Sequence, residues 1–358
     1  MADAHMTQMT TTGSAVAVYG AYGHTGRFVV AELLRRGLVP VLAGRDGDAL
    51  KALAEAYPEL AVRQASVDDP AALDRALDGV TAVINCAGPF AATAAPVIEA
   101  ALRAGVPYVD VAAEIEANVD TFELFAERAR EAGAVIVPAM AFFGGLGDLL
   151  VTAAMDDWTG ADEAHVAYGL DSWHPTAGTR AAGKVSRERR AGRRVRHAGG
   201  RLEYRDDRAP AGTWSFPEPT GTRDVIAEFS MADIVTVPSH LDIPEVRNYM
   251  TVEAATDVVN PDTPAPVAAD EHGRSAQPFV VDVVVRSGAG ERRAVARGRD
   301  IYAVSAPLAV EAVERILTGR TRAAGVASAG RVFDAPDFLR ALSPHIEVEV
   351  ELDAAAQG

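Results

Sequence analysis

Residues Ala15 to Asp46 read AVAVYGAYGHTGRFVVAELLRRGLVPVLAGRD, and the fold class follows from this stretch. A short apolar run, Ala15 to Tyr19, enters a glycine-rich turn, Gly20-Ala21-Tyr22-Gly23-His24-Thr25-Gly26. Beyond it, Phe28, Val29, Leu33 and Leu34 recur on one helical face, and Gly37 stops that helix. Val39 to Ala43 then read as a second buried strand. Strand, turn, helix and strand in this order have the length of a dinucleotide-binding crossover.

The three glycines have separate tasks. Gly20 permits a tight turn off the strand, Gly23 lets a pyrophosphate approach the backbone, and Gly26 lets helix and strand pack closely. The pyrophosphate would rest on free N–H groups at the helix N-terminus, where the dipole also favours negative charge. Tyr22, His24 and Thr25 complete the cofactor-facing turn; His24 either covers the pyrophosphate or tolerates a strained backbone. The spacing is GxxGxxG, which is weak alone and gains meaning from its place between strand and helix.

The next strand ends in Gly44-Arg45-Asp46. An NAD enzyme usually sets a carboxylate there, on the ribose 2′-hydroxyl. Here Gly44 leaves room and Arg45 offers a guanidinium, a charge-assisted contact to a 2′-phosphate worth about 1.5–3 kcal/mol. NADP(H) is therefore favoured, while the carboxylate of Asp46, read as a helix cap, keeps NAD(H) open.

Strands and helices continue to alternate. Asp46 or Asp48 caps a helix that Pro58 ends, Ala61 to Val67 is a strand, and Asp69-Pro70 opens a helix to Leu77. Strands at Val80 to Cys86, Tyr108 to Ala112 and Ala134 to Val137 enclose helices at Ala94 to Ala104 and Val119 to Ala132. This predicts a Rossmann-type, doubly wound parallel sheet. Val135 to Met155 carries one charge, Asp148, but Pro138 and three glycines interrupt it, so a strand, a turn and a buried helix are expected rather than a membrane span. After Trp158 helical periods give way to extended segments at Glu163 to Leu170, Arg201 to Arg205, Asp224 to Phe229, Phe279 to Arg286 and Ala294 to Arg299. They predict an α+β domain with a mainly antiparallel sheet. The expected organisation is a disordered tail over 1–13, a dinucleotide-binding domain over 14–157, a substrate and oligomerisation domain over 158–306, and C-terminal helices over 307–358 packing back on the first domain.

Composition narrows the partners. The 358 residues carry a formal charge of −16, which disfavours nucleic acid as a partner for the whole molecule. The single cysteine, Cys86, excludes an internal disulfide and a cysteine-built metal site, and no histidine pair has metal-ligand spacing. No secretory leader pattern is present, so a cytoplasmic protein without a membrane partner is expected. The second-domain sheet offers edges through which two copies could pair as a homodimer.

Further constellations bear on chemistry. Asn85-Cys86-Ala87-Gly88-Pro89-Phe90 follows the fourth strand and lies beside the crevice where the nicotinamide half would run. Ala87, Gly88 and Pro89 line that side; Asn85 either contacts the cofactor or satisfies its own turn. Cys86 reads as a packed thiol. Tyr108 and Asp110 share a strand face and Glu114 lies just past its end. Tyr108, Glu114 and Lys184 are the candidates for proton transfer, and Asp110, His174 and Arg180 for substrate binding, with a capping or structural role as the alternative for Asp110. From Arg180 to Arg208, eleven Lys or Arg residues face four acids; this stretch either binds an anionic substrate or carrier, or forms a solvated hairpin.

Taken together, YGAYGHTGRFVVAELLRRG, VLAGRD, VINCAGPF, PYVDVAAE and GVASAGRVFDAPDFLRAL resemble the saccharopine dehydrogenase-like NADP-binding reductases. The resemblance implies a nicotinamide-dependent reductase with a Rossmann domain and an α+β domain shaping the substrate site. One motif departs: where members often carry G-F-D-S-x-P-x-D, this chain has Phe142-Phe143-Gly144-Gly145-Leu146-Gly147-Asp148. Saccharopine is therefore not assumed as substrate. The expectation is hydride transfer from NADPH to a C=N, C=O or C=C bond of a small or carrier-bound substrate. The alternative is an NADP(H)-binding sensor or scaffold without catalysis.

Overall fold

The computed structural model of the chain describes residues 13–352. The tail expected to be disordered lies outside the described residues, except Gly13, whose N–H donates to the Gly37 carbonyl at 2.9 Å. Six strands build the first sheet: β1 (Ala15–Tyr19), β2 (Val39–Gly44), β3 (Val62–Gln64), β4 (Ala82–Asn85), β5 (Tyr108–Asp110) and β6 (Val135–Val137). They alternate with α1 (His24–Arg35), α2 (Gly47–Ala54), α3 (Pro70–Leu77), α4 (Phe90–Ala104) and α5 (Ile115–Glu131). All pair in parallel in the order β3-β2-β1-β4-β5-β6. The order reverses between β1 and β4, where open α/β sheets bind ligands. Helices cover both faces, so β1 and β4 are buried nearly throughout and read as unbroken apolar runs.

Local signals explain the boundaries. The Asp46 carboxylate accepts from Asp48 N and Ala49 N at 3.1 and 3.0 Å and caps α2. Asp69 caps α3, with Pro70 at its first position. After β6 the chain makes a kinked turn over Phe142–Leu146, where Gly144 has φ +94° and a Cβ on Gly145 would lie 2.8 Å from the Ala139 carbonyl oxygen. Helix α6 (Gly147–Met155) follows, buried almost completely. The strand, turn and buried helix expected here are thus present. No helix among the described residues is long and apolar enough to cross a membrane.

The second sheet contains β7 (Glu163–Leu170), β8 (Arg194–Ala198), β9 (Arg201–Arg205), β10 (Ala211–Ser215), β11 (Thr222–Ala227), β12 (Glu245–Thr251), β13 (Pro278–Ser287) and β14 (Gly290–Arg299). Two short returns complete the architecture. β15 (Gly325–Val326) adds a seventh parallel strand beside β6, and β16 (Ile346–Glu351) joins β14 at the edge of the second sheet. The second sheet is antiparallel except for β7 with β12. Its β10–β11 hairpin folds back over β13 and β14, because Trp214 Nε1 donates to the buried Asp282 at 2.8 Å and Arg293 donates to the Ser215 carbonyl at 3.0 Å.

Several elements here go beyond the sequence-based expectation. Helix α7 (Ala177–Arg189) stands where only extended segments were expected, and Ser186 is its sole buried residue. β8, β10, β12, β16 and the helix Val252–Val259 were likewise not anticipated.

Helix Ser305–Leu317 lies against α1, and the junction is ionic. Arg36 donates to Glu32 at 2.7 Å and to Glu311 and Glu314 at 2.5 Å each, and Arg315 holds Glu311 from the other side at 2.6 Å. Glu32 and Glu311 are both buried. Removing one partner leaves buried charge uncompensated, which costs far more than a surface pair is worth. Arg36→Ala should therefore lower the free energy of unfolding by about 3 kcal/mol, read from urea denaturation.

Candidate cofactor and substrate site

Three backbone segments meet at the C-terminal edge of the first sheet. Gly20 has φ +84°, and a Cβ there would lie 2.9 Å from both Cβ and N of Ala87. A Cβ on Gly26 would stand 2.2 Å from the Gly20 carbonyl oxygen, and one on Gly23 would stand 3.1 Å from it. No side chain fits between α1, its turn and the loop after β4. Helix α1 starts at His24 with no side-chain cap and no acid in its first turn. Its leading N–H groups are open to an anion.

His24 is edge-on to Phe28 and to Tyr302, with ring centroids 5.3 Å away in each case. Burial pushes its pKa down, keeping the ring neutral. Its Nε2 is buried and has no hydrogen-bond partner. A buried polar atom left open beside a helix N-terminus suits a ligand, because burial without a partner is costly. The turn thus fits a dinucleotide phosphate on its own geometry.

The adenosine side differs in one respect from the expected arrangement. The space above Gly44 holds the Tyr22 ring, since a Cβ on Gly44 would lie 2.7 Å from Tyr22 Cε1. Gly44 therefore makes room for Tyr22 and not directly for a phosphate. Arg45 is exposed, and its side chain has no hydrogen bond or ion pair among the described residues. Asp46 is occupied as a cap. A free cation next to a committed carboxylate favours a 2′-phosphate over a bare ribose.

The nicotinamide-side candidates divide. Ala87, Gly88 and Pro89 lie at the mouth and remain partly exposed, whereas Asn85 is fully buried. Its carbonyl oxygen accepts from Ala87 N at 3.0 Å, and its amide donates to Thr93 Oγ1 at 3.3 Å and Tyr108 Oη at 3.1 Å. Asn85 satisfies its own turn. Burial raises the Cys86 thiol pKa well above its ordinary value, which makes it a packed thiol and no nucleophile.

The candidates for proton transfer are engaged within the fold. Tyr108 is fully buried and donates to Asp110 Oδ2 at 2.8 Å, with its pKa raised first by burial and then by Asp110. Asp110 also accepts from Ala112 N at 3.0 Å and Ala139 N at 2.8 Å, and so fastens β5 to the turn after β6. Glu114 accepts from Phe90 N at 2.7 Å and Ala91 N at 3.2 Å, closing the N-terminus of α4; burial raises its pKa. These three buried groups fasten the fold through their hydrogen bonds. Lys184 points to solvent from α7 and faces Glu188 at 3.9 Å. Arg180 is spent on the Asn260 and Thr263 carbonyls at 3.1 and 2.6 Å. His174 is half-buried and its carbonyl accepts from Tyr302 Oη at 3.3 Å.

Helix α7 is the part of the site that sequence reasoning missed. Its N-terminal end docks on Tyr302, whose hydroxyl accepts from Trp173 Nε1 at 2.9 Å and Thr176 N at 3.3 Å and bonds Thr179 Oγ1 at 2.9 Å. Its C-terminal end docks on α5 through Ser186 to Glu116 at 2.5 Å and Arg189 to Asp120 at 2.7 Å. Between these ends Ala182 faces Gly88, so α7 spans the crevice. The available signal was the Thr176 cap, which accepts from Thr179 N at 3.0 Å. The basic stretch is largely neutralised within the fold: Arg194 meets Glu228 and Asp207, Arg196 meets Glu203, Arg205 meets Asp207, and Arg193 lies over the Tyr204 ring at 4.9 Å.

Residues 16–137 match the family model of the saccharopine dehydrogenase NADP binding domain. The first domain is thus similar to the NADP binding domain of saccharopine dehydrogenases. A probable mitochondrial saccharopine dehydrogenase-like oxidoreductase of Arabidopsis thaliana is 32% identical over 142 residues, 36% of this chain and 31% of that protein. A trans-acting enoyl reductase of Mycobacterium ulcerans is 28% identical over 155 residues, 40% of this chain and 37% of that protein. The aligned stretch thus covers about a third of these relatives' length. Apo saccharopine dehydrogenase (L-Glu forming) from Saccharomyces cerevisiae superposes with a TM-score of 0.63 over 94% of this chain and 100% of that one, at 13% identity. The saccharopine dehydrogenase fold extends over both sheets.

Burial also sets a pH dependence. The Asp110 carboxyl is pushed up to about 6 from an ordinary 3.8, mainly by burial, and Asp233, held by Tyr168 and Asn248, is pushed up to about 6 in the same way. Between about pH 4 and 6 the native state holds protons that the unfolded chain has released, so stability falls as pH rises through that window. Asp110→Asn keeps an oxygen for both backbone donors and should flatten this slope, measured as urea stability at pH 4, 5, 6 and 7.

Proposed function

We propose that the protein is an NADPH-dependent oxidoreductase that delivers hydride to a C=N, C=O or C=C bond of a small or carrier-bound substrate. The observation that carries this reading is the side-chain-free meeting of Gly20, Gly26 and Ala87 beneath an uncapped helix N-terminus, with an unpaired Arg45 at the neighbouring strand end. The match of residues 16–137 to an NADP binding domain supports the same cofactor. When bound, NADPH supplies the hydride. The chain's own residues position it. Gly20, Gly23, His24, Thr25 and Gly26 would receive the pyrophosphate, Arg45 the 2′-phosphate, and Ala87, Gly88 and Pro89 would border the nicotinamide. Helix α7, bridging from Tyr302 to α5, would keep water from the reacting atoms.

Titration with NADPH and NADH, followed by nicotinamide fluorescence, should show NADPH binding more tightly by about tenfold or more. Binding of neither at millimolar concentration would overturn the proposal.

A second reading is a cofactor-binding sensor or scaffold without catalysis. It is favoured by the commitment of Tyr108, Asp110 and Glu114 to structural hydrogen bonds, which leaves none of them open to protonate a product. Oxidation of bound NADPH across a panel of imines, ketones and carrier-linked enoyl thioesters decides between the two. Turnover of any class rejects the sensor.

A further inference from the structure

The glycine turn carries a second cation. Arg27 lies at the fourth position of α1, is exposed, and donates from Nε to the Tyr22 carbonyl at 3.0 Å. That bond folds the guanidinium back across the turn and leaves its Nη groups unused. No carboxylate pairs with Arg27 among the described residues, and the first turn of α1 has no acid. A cation near a helix N-terminus is repelled by the dipole, which favours anions there. Natural helices favour Asp or Glu in this turn, so Arg27 departs from the usual first-turn charge and is available to an anion.

Tyr22 links Arg27 to the adenosine end of the site. Its carbonyl holds Arg27, while its ring lies against Gly44, the residue before Arg45. Two guanidiniums without acidic partners therefore flank one tyrosine, one from the first turn of α1 and one from the end of β2. A pyrophosphate would meet the backbone N–H groups at the start of α1 and His24. A phosphate on the ribose would be met at the Tyr22 side.

We propose that Arg27 is a specificity-determining residue that binds the 2′-phosphate of NADP(H) together with Arg45, with Tyr22 as the spacer between them. This rests on the NADPH reading and adds a residue to it. Such a pair is stronger than a lone arginine, since each guanidinium contributes charge-assisted hydrogen bonds from a preset direction.

The test compares Arg27→Gln with wild type for NADPH and NADH, by fluorescence titration at low and high salt. The substitution should weaken NADPH binding about tenfold or more, leave NADH within about twofold, and flatten the salt dependence of NADPH binding. Equal loss of both cofactors would place Arg27 on the pyrophosphate or in the turn's own structure and overturn the specificity role. Unchanged NADPH affinity would overturn it as well. Arg27→Lys keeps the charge but loses the fork to Tyr22, and should retain part of the NADPH preference. If wild type binds neither nucleotide, it is the underlying NADPH reading that fails, a result distinct from either of these.

Discussion

The close approach of Gly20 to Ala87 and of Gly26 to the Gly20 carbonyl is the constraint on which the rest of the structure depends. With no Cβ at either glycine, β1, the start of α1 and the loop after β4 can share one small volume. That convergence creates an edge where backbone N–H groups face outward without a side-chain cap.

The carboxylates that cluster there hold the edge in shape. Asp110 ties β5 to the turn after β6, and Glu114 closes the start of α4. Both are buried, so their hydrogen bonds matter more than equivalent ones at the surface would, and losing a partner would strand a charge. Tyr108 and Asn85 extend the same network. Acidic and phenolic residues at strand ends of a nucleotide-binding sheet look catalytic in a one-dimensional reading. In three dimensions their oxygens are already used.

Charge along the chain follows a similar logic. Eleven cations between Arg180 and Arg208 form a conspicuous run in an acidic protein, yet several meet acids from distant segments, such as Asp120 and Glu228. Arg27 and Arg45, which pair with no acid among the described residues, stand singly in sequence and draw less notice. Position relative to a helix dipole and a glycine edge gives them their meaning.

The sequence by itself pointed to the class of the first domain: a parallel, doubly wound sheet follows from alternation, the crevice from the loop after β4, and NADP(H) as the favoured cofactor from the glycine turn and Arg45. Those features depend on neighbours within a few residues, where periodicity, capping and turn chemistry act. Asp46 and Asp69 were legible as caps for that reason. The tertiary structure alone decided helix α7, whose composition lacks an apolar face and whose stability comes from Tyr302 and α5. It alone decided that β15 returns to the first sheet, since a strand of two residues carries no readable period, and that β16 joins the second, since its partner β14 lies about fifty residues away in the chain. It also decided which polar residues are fasteners and which are free, because hydrogen-bond partners many residues apart leave no mark on local spacing.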